Sequence, residues 1–311
     1  MRLLTFQRNG RLALTIDLLD NVPPYAILSH TWGKDEEEVT FQEISLGQGT
    51  DKPGYRKIEF CGNQAVGDGY MHFWVDSCCI DKSNNAELSE ALNSMFRWYQ
   101  NAERCYVHLA DVSKGKSNDG NMAQLTWKEA FEKSRWFTRG WTLQELVAPS
   151  VVEFYSAEWQ RLGDKQSLTQ QLYEITGIPM RALQGTPLSE FPADELMSWS
   201  VGRQTKRGED MAYCLLGMLN VYLSPIYGEG KEHALLRLKE EVAKRRRRDG
   251  GGKMGANLGS NEARIAPHPS AVLPFGRDSD FVERGEVLNE IDRKCAQPGS
   301  RTALVGLGGI G

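Results

Sequence analysis

The chain has 311 residues, 40% of them hydrophobic and 25% charged, with a formal net charge of −4. That is the balance of an ordinary globular protein with one large core and room for a second partial unit. The near-neutral charge gives no footing for nucleic-acid binding, and no Lys/Arg-led apolar segment opens the chain as a secretory signal would. Its longest apolar run, Ala212–Leu223, is interrupted by Gly217 and Asn220 and is too short to span a bilayer. A soluble, cytoplasmic protein is expected.

Four short runs read as buried strands in chain order: Tyr25–Ser29, His72–Asp76, Cys105–Leu109 and Val151–Tyr155. They are aromatic or β-branched without strict alternation, which suits central parallel strands covered on both faces. Between them, Glu87–Asn101 carries Leu88, Leu92, Met95, Phe96 and Tyr99 on one helical face, with Asn84 and Glu87 spaced as a capping box. Met122–Lys133 and Thr142–Ala148 are shorter helical candidates. Strands alternating with helices predict an α/β layer fold with a mostly parallel sheet. After Tyr155 the pattern turns helical over Lys165–Thr176, Asp194–Ser200, Glu209–Leu219 and Glu229–Arg246, with Pro179, Pro187 and Pro192 breaking the connections. The expected organisation is an α/β core over residues 1–160 and a helical subdomain over 161–246. A flexible linker over 247–276 and the start of a further domain over 277–311 follow.

The linker expectation rests on the KRRRR run and the glycines after it, which cannot bury enough apolar surface to fold. The run itself reads either as a solvated helix end, where cations are favoured, or as a nuclear-import signal. Beyond the linker, TALVGLGGIG (Thr302–Gly311) reads as a strand entering a glycine loop. Gly306 and Gly311 occupy the first and sixth positions of G-x-x-x-x-G-K-[ST], with Gly308 and Gly309 between them, a pattern whose backbone N–H groups cradle phosphates. The lysine and hydroxyl positions lie past the last residue, so ATP or GTP binding is expected only in a longer protein. Six cysteines, at 61, 78, 79, 105, 214 and 295, show no CxxC spacing. They are expected to be buried free thiols, with no metal site.

The densest chemistry lies in SRWFTRGWTLQELVAP (Ser134–Pro149), where Arg135, Trp136, Arg139, Trp141 and Glu145 crowd one short helical stretch. YAILSHTWG (Tyr25–Gly33) and HFWVDSCCID (His72–Asp81) echo it, and the three blocks read as the framework of one site. Two readings of Glu145 stand side by side. Thr142 and Glu145 have capping-box spacing, with Trp141 and Leu146 placed as a hydrophobic staple, so Glu145 could simply cap a helix. Alternatively it is the reactive carboxylate of the site. Asp76 likewise either lines the site from a strand end or caps the following turn. Ser29 and His30, adjacent on a strand, should point to opposite faces and form no dyad. No G-x-S-x-G supports a hydrolase elbow. Glu209 and Asp210 read as helix-opening acids, and Arg203 and Arg207 as surface or ion-pair residues, with reaching the cleft as the alternative.

Together with WVDSCCIDKSNNAELSEALNSMFRWYQNAERCYVHLADV and GRQTKRGEDMAYCLLGMLNV, these blocks resemble the fungal heterokaryon-incompatibility (HET) domain over roughly Tyr25 to Arg246. The final glycine loop resembles the start of the P-loop NTPase module (NB-ARC or NACHT type) of fungal NLR-like proteins. The resemblance implies a role in non-self recognition and programmed cell death, with homo-oligomerisation on activation and a non-self protein or ligand sensed through further C-terminal domains. HET domains are in turn similar to TIR domains. NAD-cleaving TIR domains carry a glutamate in a W-C-x-x-E-L helix; WTLQEL here has Thr142 for the cysteine and Glu145 on the glutamate. The resemblance thus implies a TIR-like sheet, NAD as substrate with no required cofactor, and Glu145 as the catalytic residue. Ser29, Trp32, Gly33, Asp76, Arg135, Arg139 and Trp141 are the implied substrate-binding residues. One carboxylate suffices for this chemistry, because nicotinamide leaves as a neutral ring. The rival functions are a non-enzymatic self-assembling signalling module and an NTP-binding switch in the full-length protein.

Overall fold

The computed structural model describes residues 1–114 and 127–251. They lie within one compact unit, Met1–Ala256. The 247–276 linker beyond residue 251, the glycine loop and Cys295 lie outside the described residues. So does the start of the 122–133 helix.

Seven strands form one sheet in the order β2-β1-β4-β3-β5-β6-β7. The four expected strands are its centre: β3 (Tyr25–His30), β4 (His72–Trp74), β5 (Arg104–His108) and β6 (Val152–Tyr155). They run parallel, with Ile27 paired to Trp74 on one side and to Cys105 on the other. All six residues of β3 are buried, as expected of a strand with helices on both faces. Both sheet ends differ from the expectation. The hairpin β1 (Leu4–Phe6) and β2 (Leu12–Leu14) adds antiparallel strands beside β4. At the other end β7 (Arg161–Asp164) pairs antiparallel with β6. Three- and four-residue strands of mixed polarity leave little periodicity to read.

The chain runs from β3 outward to β4, then crosses back to β5 on the other side of β3. Open α/β sheets bind ligands at the carboxyl ends of strands where the order reverses in this way. Helix α1 (Phe41–Ser45) and helix α2 (Pro53–Gly67) fill the first crossover. The sequence reading did not anticipate α2, whose apolar positions are interleaved with charge. Pro53 opens it, as proline favours the first helical position. At Gly62 an added Cβ would lie 2.7 Å from Phe6 and 2.8 Å from Phe73, so α2 sits close on the sheet.

On the opposite face lie α3 (Asn85–Gln100), the helical residues 127–132 (α4) and α5 (Thr142–Val147). Asn84 caps α3 by accepting from the N–H groups of Ala86 and Glu87. The other half of the expected capping box is missing: the Glu87 carboxylate accepts from the Asp81 N–H and pairs with Arg2.

After β7 come α6 (Thr169–Thr176), α7 (Met180–Leu183), α8 (Ala193–Ser198), α9 (Asp210–Tyr213), α10 (Leu216–Leu219) and α11 (Lys231–Gly251). The helix expected from Lys165 starts only at Thr169, because β7 and its turn occupy the preceding residues. The one expected over Glu209–Leu219 is two short helices. Helix α11 carries the arginine run on its last turns and continues to Gly251, into the stretch expected to be linker. Cys61, Cys78, Cys79, Cys105 and Cys214 are buried free thiols. Among the described residues no His/Cys/Asp/Glu group is arranged for a metal. No described helix is long and apolar enough to cross a membrane.

Candidate functional site

Alternation along β3 sends Ser29 to the α3/α5 face and His30 to the α2 face. Each anchors a different cluster. On the Ser29 side, Trp136 is fully buried, edge-on to Phe137 and Phe154 with ring centroids at 5.1 and 5.8 Å. Its indole Nε1 donates to Ser29 Oγ at 2.8 Å. An indole can only donate, so the Ser29 hydroxyl hydrogen is directed onward to the Glu145 carboxyl, with which it makes a short hydrogen bond. Tyr99 also reaches the Glu145 carboxyl, and its hydroxyl donates to the Leu28 carbonyl at 2.9 Å.

Glu145 is only 7% exposed. Burial pushes its pKa up to about 8; Asp76 adds to the rise, while Ser29, Tyr99 and Arg139 oppose it. At neutral pH the carboxyl is therefore largely protonated. Trp136, Ser29 and Glu145 thus form a buried chain of donors, each handing its hydrogen to the next.

The capping-box reading of Thr142 and Glu145 is not what the structure has. Helix α5 has Trp141 at its N-cap position with no side-chain cap. The Thr142 hydroxyl donates backward, to the carbonyls of Trp136 and Arg139. Glu145 spends its carboxyl across the sheet, on Ser29, rather than on its own helix. Arg203, expected at the surface, is buried and donates to the Arg139 carbonyl at 2.9 Å and to Thr142 Oγ1 at 3.1 Å. It clamps the turn that precedes α5, and burial lowers its pKa to about 10. Gly140 lets the Gln204 segment lie alongside; an added Cβ would meet Thr205 at 2.5 Å.

The second cluster lies at the carboxyl ends of β3 and β4. Trp32 Nε1 donates to Asp76 Oδ2 at 2.9 Å, so Asp76 lines this edge rather than capping its turn. Lys82 Nζ sits 3.6 Å from the centre of the Trp32 ring, buried and without a hydrogen-bond partner. Its pKa is lowered by that burial. His30 Nε2 stands 3.6 Å from Glu38 and 4.0 Å from Asp76. Glu38 accepts from Lys57 and from the Gly33 N–H. Burial alone would raise the Glu38 carboxyl, but His30 and Lys57 together hold it well below the usual carboxylate range. His108, at the end of β5, stacks on Trp159 with centroids at 3.9 Å.

Of the implied binding residues, the structure thus gathers Ser29, Trp32 and Asp76 around the strand ends, with the Arg139 charge felt at Glu145. Arg135 is exposed, with its backbone N–H donating to Asp111 and its carbonyl accepting from the Thr138 hydroxyl. Half-buried Trp141 is turned to Asp210. Gly33 contributes its N–H to Glu38 and is itself exposed. Glu209 is not a plain helix-opening acid, since its carboxylate accepts from the N–H groups of Gly228 and Gly230. Tyr99 and Arg203 take roles other than those read from sequence, and neither Lys82 nor the grouping of His30 with Glu38 and Lys57 was expected. Tyr99 could be read only as one more apolar position of α3, and the others join through elements distant in the chain.

Two sizeable clefts, of about 690 and 630 Å³, are lined by other residues. In this state Glu145 is an enclosed, neutral, hydrogen-bonding acid. Desolvation is the main cause of that neutrality.

Residues 25–127 match the sequence model of the family described as heterokaryon incompatibility protein (HET). That span holds β3, β4, β5 and α1–α3, hence Ser29, Trp32 and Asp76, and ends before Glu145. Over 246 residues the chain is 55% identical to vegetative incompatibility protein HET-E-1 of Podospora anserina, covering 78% of this chain but 18% of that protein. The chain therefore spans under a fifth of that relative's length. No solved structure gives a significant match. With the first two ordered sequence blocks inside the matched span and 55% identity to that incompatibility protein across most of the given chain, residues 25–127 match the heterokaryon-incompatibility (HET) domain.

Proposed function

We propose that this chain is the effector part of a heterokaryon-incompatibility protein, a TIR-like domain that hydrolyses NAD when the parent protein oligomerises. The supporting observation is the reach of Glu145 from α5 to Ser29 at the carboxyl end of β3, next to the point where the strand order reverses. An isolated capping glutamate would have no reason to be there. In the proposed reaction the bond between ribose C1′ and the nicotinamide nitrogen breaks, its electron pair staying on the ring, which leaves neutral. Water adds at C1′ and gives up a proton. Glu145, ionised once the pocket opens, stabilises the cationic character at C1′. The Trp32 ring offers a stacking face for a base, and Arg139 a partner for phosphate. The enclosure of Glu145 fits a resting form that assembly must open.

That same enclosure favours a second reading, a domain that self-assembles and signals without chemistry. One experiment separates them: NAD loss by the chain fused to an inducible oligomeriser, beside Glu145→Gln and Glu145→Ala. The proposal expects NAD loss only in the assembled wild type, with both variants folded. An assembled wild type that leaves NAD intact selects the self-assembling module. A fully active Glu145→Gln removes the catalytic role.

A further inference from the structure

Strand β2 is the outer edge of the sheet and pairs only with β1. The bonds Gln7 N–H to Arg11 O and Thr15 N–H to Leu3 O, both 2.8 Å, show that Arg11 and Thr15 face β1. By alternation the backbone groups of Leu12 and Leu14 are directed outward. Along this edge runs the cleft of about 630 Å³, lined by Leu12–Thr15 on one side and by Phe41, Ile44 and Leu46 on the other. Ile16, Leu19 and Leu46 around it are 83, 81 and 72% exposed. Exposed edges of this kind invite another strand unless charge blocks them.

The charges here invite rather than block. Counted from Leu14, Arg11 and Arg8 lie three and six residues before, and Asp17 and Asp20 three and six after. We propose that β2 is a self-association edge, on which a second copy of this chain adds its own β2 antiparallel about a two-fold axis at Leu14. This register sets Leu14 opposite Leu14 and Leu12 opposite Ile16, continuing the outward ladder. Arg11 falls opposite Asp17 of the second copy, twice, and the Arg8 end approaches the Asp20 end. Centring the pair on Leu12 instead would set Arg11 against Ala13 and Asp17 against Gln7, losing the complementarity. Asp17, already 2.8 Å from the amino terminus, keeps a half-exposed side chain for the second partner. The exposed Leu46 side chains flank the joined strands. The inference is independent of any chemistry at Glu145.

The test is sedimentation of the full chain over a concentration series, with Arg11→Asp, Asp17→Arg and an equimolar mixture of the two. Wild type should dimerise. Each variant alone sets like charges opposite each other twice and should associate about tenfold more weakly. In the mixture every facing pair is again opposite in sign, so association should return to near wild type, which no folding defect can imitate. A monomeric wild type, single variants that dimerise unchanged, or a mixture no better than its components would each overturn the proposal.

Discussion

The protonated state of Glu145 makes a quantitative demand on stability. Its pKa is about 8 in the folded chain against an ordinary value of 4.5. Below pH 4.5 the carboxyl is neutral whether the chain is folded or not, and its favourable placement is fully present. Between 4.5 and 8 the unfolded chain releases this proton while the folded chain holds it, so stability falls as pH rises. At about 1.36 kcal/mol per pH unit, the loss across the window is about 5 kcal/mol. Glu145→Gln keeps the shape, can accept from Ser29 as the acid does, and has nothing to titrate. Urea denaturation of both proteins at pH 5, 6.5 and 8 isolates the effect, because other titrations cancel in the difference. The variant should match wild type at pH 5 and exceed it by several kcal/mol at pH 8. A difference that does not change with pH would refute a neutral, enclosed Glu145.

Two further outcomes follow from packing. Trp136→Ala should cost roughly 3–5 kcal/mol in chemical denaturation, since it removes a fully buried ring and the donor to Ser29. Trp141→Ala, at a half-buried position, should cost clearly less. Gly217→Ala would set a Cβ 2.0 Å from the Phe96 Cβ. Overpacking of about 1–3 kcal/mol should outweigh the roughly 1 kcal/mol gained in helix propensity, lowering the melting temperature and parting α10 from α3.

The central strands were legible because burial on both faces writes itself as unbroken runs such as YAILS. The edge strands were not: Leu12–Leu14 and Arg161–Asp164 are too short for a period. At the site, the dense block holding Trp136 and Glu145 is the one whose side chains meet Ser29, while Asp76 pairs with Trp32. The capping-box reading of Thr142 and Glu145 did not hold, because that spacing is a local pattern and the decisive partners are distant: Arg203 lies 61 residues from Thr142, and Ser29 116 from Glu145. The same holds for Lys82 on Trp32. Pairings of that kind exist only once the sheet has brought its strand ends together.

Strand β3 also shows how a sheet can fix its own parity. Tyr25–Leu28 is apolar on both faces, so hydrophobic alternation cannot tell the correct alignment from one displaced by a residue. Ser29 and His30 can. A one-step slip would exchange them, bringing an imidazole to the neutral carboxyl of Glu145 and a small hydroxyl to the Glu38–Lys57 ion pair. A two-step slip would restore the faces but carry both residues about 6.6 Å out of reach of their partners. The two polar residues at the end of an otherwise featureless strand thus act as its index mark, so the groups that build the candidate site also specify the alignment of the sheet that carries it.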